Sequence, residues 1–449
     1  MHHPQPSLTR RFKDRIKTSL DALLLDLRST GERGRLVRET LSVLTLRAGA
    51  LGVAFIAGII YARTLKASGY GIYAYVLAWN DVVLITVGLG LPEYLVREAS
   101  KHKDHGRLRG ILRWADQRLL VAGLIGAVLI SCVGYVMPGA EGMGPLFMIV
   151  AWMPLLAVLA IARQSILRAS DSVVASQWPS LLMAPTLMLA LLLAWWGITG
   201  QLSPGALLIA MLVSLAVSLA IQEVQVRRRL GPGPVVAAEN LSLADAFPFM
   251  LISAIWYINS RVDLLILGAL KSHADVGVYA VVLRVAGLVM LATFTVNTII
   301  APRIAAYHHQ GDHARLQRLV VASTQRTFFL CLPLGLILVL MGGPLLGLVF
   351  GAEYAGGWAP LAILVSAQLF CIMCGPTAII LNMAGLERIT NRTFAFATLV
   401  NIALNFILIP QFNLIGAAIA TSVSLITWNL VLLVEVRRRL NLRPTAIGF

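Results

Sequence analysis

Apolar residues run through this chain in long, nearly unbroken stretches rather than at every third or second position. From Leu41 to Leu440, segments of at least 19 hydrophobic-rich residues alternate with short polar ones. Each is long enough to cross ~30 Å of hydrocarbon as a helix. The pattern predicts twelve transmembrane helices, over 41–63, 70–92, 117–138, 145–163, 176–197, 205–224, 246–269, 276–300, 327–350, 357–383, 391–410 and 414–436. Ahead of them, Phe12, Ile16, Leu20, Leu24 and Leu27 form one helical stripe beside Arg10, Arg11, Lys13, Arg15 and Lys17. Such a segment suits an amphipathic helix lying on a membrane surface.

Two short motifs recur. Tyr70-Gly71-Ile72-Tyr73-Ala74 opens the second span and Val276-Gly277-Val278-Tyr279-Ala280 the eighth; Asp104-His105-Gly106-Arg107-Leu108 follows the one and Asp312-His313-Ala314-Arg315-Leu316 the other. The near-constant offset and the shared place in the topology indicate a duplication. Six spans per half is an even number, so both halves enter the membrane in the same sense, related by an axis along its normal. The expected organisation is a basic tail over 1–40, a six-helix bundle over 41–225, a Gly/Pro-rich linker over 226–245, a second bundle over 246–440 and a tail over 441–449.

Composition agrees with this all-α membrane class. Of 449 residues, 58% are hydrophobic and 13% charged, with mean hydropathy +0.80, too little polar surface for a water-soluble domain. The net charge of +16 raises nucleic acid as a partner, but its placement argues otherwise. All but six of the 37 Lys and Arg fall in the tails, at span ends or in alternate loops. Arg63, Lys66 and Lys271 lie on the other side, and Arg47, Arg261 and Arg284 inside spans. This is the positive-inside pattern, predicting cytoplasmic termini and contact with anionic lipid headgroups. Cys371-x-x-Cys374 has redox spacing but sits within a span, where small apolar filler is the better reading. No cleavable signal peptide is expected, since the first forty residues are basic and lack an apolar core.

A charge at mid-bilayer costs about 2.5–3.5 kcal/mol on insertion scales. Arg47, Asp81, Arg261, Asp263 and Arg284 occupy the first two spans of each half. Guanidinium groups grip phosphate oxygens bidentately, so the three arginines could line a cleft for an anionic solute. Equally, they could pair internally, Arg284 with Asp263 and Arg47 with Asp81. Asp81 and Asp263 could instead couple proton or sodium movement. Asn259, Asn297, Gln368, Asn401 and Asn405 are either cavity lining or interhelical glue; the first three are the candidates for substrate contact.

These residues resemble a known family. Ala62-Arg63-Thr64-Leu65 leading to Tyr70–Ala74, then Gly88-Leu89-Gly90-Leu91 and Arg97, is similar to the N-terminal signature of bacterial polysaccharide flippases. So are Arg261-Val262-Asp263 through Gly268 with Gly277–Ala280, and Asn401 and Asn405 with Leu408-Ile409-Pro410 and Gly416–Thr421. The resemblance is to the Wzx-type O-antigen and exopolysaccharide translocases, in the superfamily that also holds the multidrug and toxin extrusion (MATE) transporters. It implies a two-lobed, twelve-helix fold in the bacterial inner membrane. Its substrate would be an undecaprenyl-diphosphate-linked oligosaccharide, flipped from the cytoplasmic to the periplasmic leaflet. It further implies pyrophosphate and sugar contact by Arg47, Arg261, Arg284, Asn259, Asn297 and Gln368, ion coupling through Asp81 or Asp263, and polymerase or glycosyltransferase partners. No cofactor or enzymatic chemistry is expected. Lys66 stands where the family usually has Gly, and Phe412-Asn413 where it has Tyr-Gly. The alternatives are a MATE-type drug or cation antiporter, which would favour an acidic, aromatic cavity, and a membrane polymerase or ligase, which needs a sizeable extracytoplasmic loop.

Overall fold

The computed structural model describes residues 32–102, 104–137, 140–169, 173–237 and 241–447. The amphipathic stripe expected from Phe12 to Leu27 lies outside the described residues. Among these, every regular element is helical, and ten helices are long and apolar enough to cross a membrane. Two of the ten, Thr45–Gly88 and Glu387–Leu440, have 44 and 54 residues. At 1.5 Å per residue they would reach about 66 and 81 Å if straight, more than twice the hydrocarbon thickness.

Neither is straight. Lys66 (φ 58°, ψ 177°) breaks the first and Asn413 (φ 52°, ψ −128°) the second, and the chain reverses at both. The Tyr61 and Tyr73 rings meet at 6.4 Å, and Ser424 Oγ donates to Ala397 O at 2.7 Å. Each is therefore a hairpin of two spans: α1 (32–65) and α2 (67–88), α15 (387–412) and α16 (414–440). Between them come α3 (Leu91–Ala99), α4 (His105–Val136), α5 (Gly144–Val150) and α6 (Met153–Ala169). The chain continues through α7 (Val173–Trp178), a π-turn, α8 (Ala184–Thr199), α9 (Pro204–Leu230), α10 (Leu243–Leu270) and α11 (His273–His309). It closes through α12 (His313–Phe350), α13 (Trp358–Cys374) and α14 (Thr377–Met383). The twelve expected spans all coincide with these helices. Span four is split at 151–152, and the tenth breaks at Gly375–Pro376. The face where α1 begins and α16 ends is called here the terminal face.

What marks these as membrane helices is the surface they expose. Leu120, Val121, Leu124, Ile125 and Val128 of α4 are 44–64% exposed, and such rows cover the molecule. Only lipid matches that surface. A half-buried charge cluster ties the first half together: Arg163 donates to Asp116 and, from Nε, to Glu223 at 3.0 Å.

The repeated motifs have separate physical roles. Asp104 caps α4, accepting from the Gly106 and Arg107 amides at 3.1 Å, and Asp312 caps α12, accepting from the Arg315 amide at 2.9 Å. Gly71 and Gly277 mark the crossing of α2 and α11. A Cβ on Gly71 would fall 1.7 Å from His273 O, and one on Gly277 2.0 Å from Ala67 O. The two contacts are reciprocal, each glycine meeting the carbonyl four residues before the other. A pseudo-twofold axis therefore passes between them, and small residues are what allow the two backbones to touch.

Candidate functional site

The two halves meet along a seam, and most of the intramembrane charge lies on it. On the face opposite the termini, the glycine crossing closes the seam. Arg63 Nε donates to Val349 O at 2.7 Å, and Tyr354 Oη to Ala62 O at 2.9 Å. Arg63 thus satisfies carbonyls at the end of α12. On the terminal face, Gly90 (φ 68°) lets α10 approach: a Cβ there would lie 2.4 Å from Ala246 O. The Ser242 amide donates to Tyr94 Oη at 3.3 Å, and the Arg97 guanidinium lies over the Tyr94 and Phe249 rings.

Between these ends the seam carries a continuous polar track. Arg284 of α11 reaches across to α1, donating to Ala54 O at 3.3 Å, with its guanidinium 6.0 Å from the Tyr70 ring centre. Tyr73 packs against Tyr70 and Tyr61, with ring centres 6.0 and 6.4 Å away. Asp81 of α2 accepts from Arg261 Nε of α10 at 2.8 Å, an ion pair that joins the two halves. Beyond it, Tyr257 stands one turn before Arg261 on the same face of α10. Glu93, Tyr257 and Ser253 then line a small cavity of about 110 Å³. Arg168 of α6 donates to Gln164 within the first half. Arg47 is exposed.

The pairings weighed from sequence are thus not those formed. Asp81 takes Arg261 rather than Arg47, because α2 and α10 face each other across the seam. Arg284 is occupied by a backbone carbonyl and aromatic rings rather than by Asp263. Asp263 is buried inside the second half, where it accepts from Tyr279 Oη at 3.1 Å and from the Leu264 amide at 2.8 Å. Near Tyr279, Thr421 accepts from Asn401 Nδ2 at 3.5 Å, while Asn405 Nδ2 donates to Asn401 O and Oδ1 at 2.9 and 2.8 Å. Asn401 therefore bonds across to α16, whereas Asn405 bonds only to Asn401 of its own helix and its buried Oδ1 has no partner among the described residues. Asn259, half-buried, shares with Asp263 the face of α10 turned away from the track.

Asn297 and Gln368 lie elsewhere again. They line a cavity of about 310 Å³ within the second half, between α11, α12, α13 and α16. The predicted set is therefore divided among four places: the seam (Asp81, Arg261, Arg284), the exposed surface of α1 (Arg47), a buried carboxylate cluster (Asp263, with Asn259 on its helix face) and this cavity. Sequence reasoning missed the tyrosines around Arg284. Tyr70 and Tyr73 stood in the repeated motif, but nothing local showed that a helix 200 residues away would present an arginine to them. Cys371 and Cys374 are buried, free thiols. Among the described residues no cluster of three or more His, Cys, Asp or Glu could hold a metal ion.

Comparison with known proteins agrees with this fold. A family profile described as polysaccharide biosynthesis protein matches residues 36–308, more than half of the chain. Two curated proteins of Haloferax volcanii are similar. The probable low-salt glycan biosynthesis flippase Agl15 is 26% identical over 187 residues, covering 41% of this chain and 39% of the relative. The probable flippase AglR is 30% identical over 171 residues, covering 37% and 35%. The matches thus span about two fifths or less of those relatives' own lengths. Among solved structures, the lipid II flippase MurJ in an inward closed conformation superposes with TM-score 0.71 at 15% identity, covering 89% of this chain and 87% of that one. An inward-facing multidrug resistance MATE transporter gives 0.67 at 15% identity, covering 87% and 94%. At such identity these two likenesses establish the fold.

Proposed function

Because the chain belongs to the polysaccharide biosynthesis protein family, we propose that it is a transporter that flips a lipid-linked oligosaccharide across the membrane by alternating access. The observation that carries this reading is the seam. Arg63, Arg97, Arg261 and Arg284 each reach a group of the other half across it, against Asp81 and Glu93, a cationic excess suited to a diphosphate and ill suited to a cationic drug. The fold alone does not choose, since a MATE transporter superposes nearly as well as a flippase.

In this reading Arg261 and Arg284 contact the diphosphate, Arg47 meets it at the terminal face, and Asn259, Asn297 and Gln368 serve the sugars. Arg284 would exchange the Ala54 carbonyl for a phosphate oxygen, with no carboxylate to release. Arg261 must leave Asp81, so substrate entry would release that carboxylate. Asp81 is therefore one candidate for coupling to a proton or sodium ion. Asp263, bonded to Tyr279 inside the second half, is the other. The carrier would be undecaprenyl diphosphate in a bacterial inner membrane with cytoplasmic termini, serving O-antigen, exopolysaccharide or capsule synthesis beside polymerase and glycosyltransferases. A polymerase or ligase role fits poorly, because no connection on the face opposite the termini exceeds seven residues.

The test is complementation of surface polysaccharide in a strain lacking the native protein. Arg261→Glu and Arg284→Glu should each abolish it at normal protein level. Full activity of both variants would overturn the assignment of the seam.

A further inference from the structure

The cavity of the second half differs in chemistry from the seam. None of the 21 residues lining it is charged; carboxamides, hydroxyls and two indoles stand among aliphatic side chains. Gln368 Oε1 and Trp428 Nε1 are buried there without a hydrogen-bond partner among the described residues. An unpaired buried polar atom costs about 1–3 kcal/mol, so a group that satisfies both is favoured. The break between α13 and α14 brings Gly375, Pro376 and Thr377 to the wall, adding irregular backbone.

The cavity is also placed to share a ligand with the seam. Trp256 lines it, while the next residue, Tyr257, lines the seam, so α10 is the partition between the two. Toward the terminal face it is stoppered. The segment after α16 folds back, with the Ala446 amide donating to Met373 O at 2.9 Å and Gln325 Nε2 to Ala446 O at 3.0 Å. Pro444 O lies against Gly375, where a Cβ would come within 2.5 Å of it. The route in that this arrangement offers is from the α10 side, where the seam lies.

Building on the flippase reading, we propose that this cavity is a subsite for uncharged sugar residues of the translocated glycan, separate from the arginine seam that holds its diphosphate. Carboxamides offer a donor and an acceptor to vicinal hydroxyls, and indole faces cover the apolar C–H faces of a sugar ring. A uronate or other charged sugar would be desolvated there without a counter-ion, which is strongly unfavourable. A volume of about 310 Å³ lies at the lower end of small-molecule sites. The subsite therefore holds the end of a headgroup rather than the whole of it.

The test measures binding to the full chain in nanodiscs. The probes are a short-chain polyprenyl diphosphate without sugar, the same carrier with an uncharged oligosaccharide, and the same glycan containing a uronate. The wild type should prefer the uncharged glycan carrier over both others. Gln368→Leu, close in volume to the native residue, and Trp428→Leu should each weaken binding of that carrier about five- to tenfold, as for a lost hydrogen bond. Affinity for the sugar-free carrier should stay unchanged. If the wild type binds all three probes equally, or both variants keep the preference, the subsite is disproved while the flippase reading stands. If the wild type binds no polyprenyl diphosphate at all, the flippase reading falls and takes the subsite with it.

Discussion

The Gly71–Gly277 crossing should set how firmly the seam closes on the face opposite the termini. In Gly71→Ala the new Cβ would sit 1.7 Å from His273 O, a backbone atom that cannot rotate away. Restoring an ordinary contact of about 3.2 Å would require the helices to part by about 1.5 Å. Overpacking of this kind costs about 1–3 kcal/mol, and here the cost falls only on the state in which the crossing is formed. A two-state equilibrium between closed and open forms would therefore move by roughly 5- to 150-fold toward open. Gly71→Ala with Gly277→Ala should cost less than the sum of the single variants, because one separation relieves both clashes. Spin labels at Glu141 and Glu353, exposed on the far connections of the two halves, report the opening in a background carrying Cys132→Ser. The expected result is a longer mean distance, or a new long-distance population, in both single variants. Unchanged distance distributions in the double variant would refute the idea that this crossing is the closed gate.

Other expectations follow from individual contacts. Lys66 holds φ 58° with ψ 177°, a region almost reserved for glycine, so Lys66→Gly should raise thermal stability in detergent by about 1 kcal/mol, strain relief outweighing added chain entropy. A lower melting temperature would contradict that. The swap Asp81→Arg with Arg261→Asp rebuilds the interhalf pair in reverse. Arg261 is 41% exposed, so the pair contributes only about 1 kcal/mol, and the swap should restore folding but not transport. Restored transport would reduce Arg261 to a structural role. Asp104 titrates outside the membrane. Its two backbone N–H bonds hold the carboxyl below the usual carboxylate range. A depressed folded pKa means that its stabilisation is present above the unfolded value near 4 and is lost as pH falls through the folded value. Amide exchange in the first turn of α4 should accelerate there, and Asp104→Asn should remove that pH dependence.

Hydrophobic run length by itself determined the twelve crossings, because an apolar run of 19 or more residues has no stable place but the bilayer. Offset and parity of the short motifs determined the duplication in the same way. The helix starts at Asp104 and Asp312 were not legible as such: the apolar runs begin only at 117 and 327, yet the helices start at His105 and His313, where the capping bonds reach two or three residues ahead. The tertiary structure decided which charges share a site. A bilayer makes every intramembrane charge conspicuous, but the partner depends on which helix faces which. Asp81 meets Arg261 across 180 positions of sequence, and Arg284 meets Ala54 across 230. Adjacent residues can also part company, as Trp256 and Tyr257 do on two sides of one helix. Lys66 shows both levels at once. The chain alone places it at a turn between two spans, while only the backbone angles reveal why glycine would suit that position better.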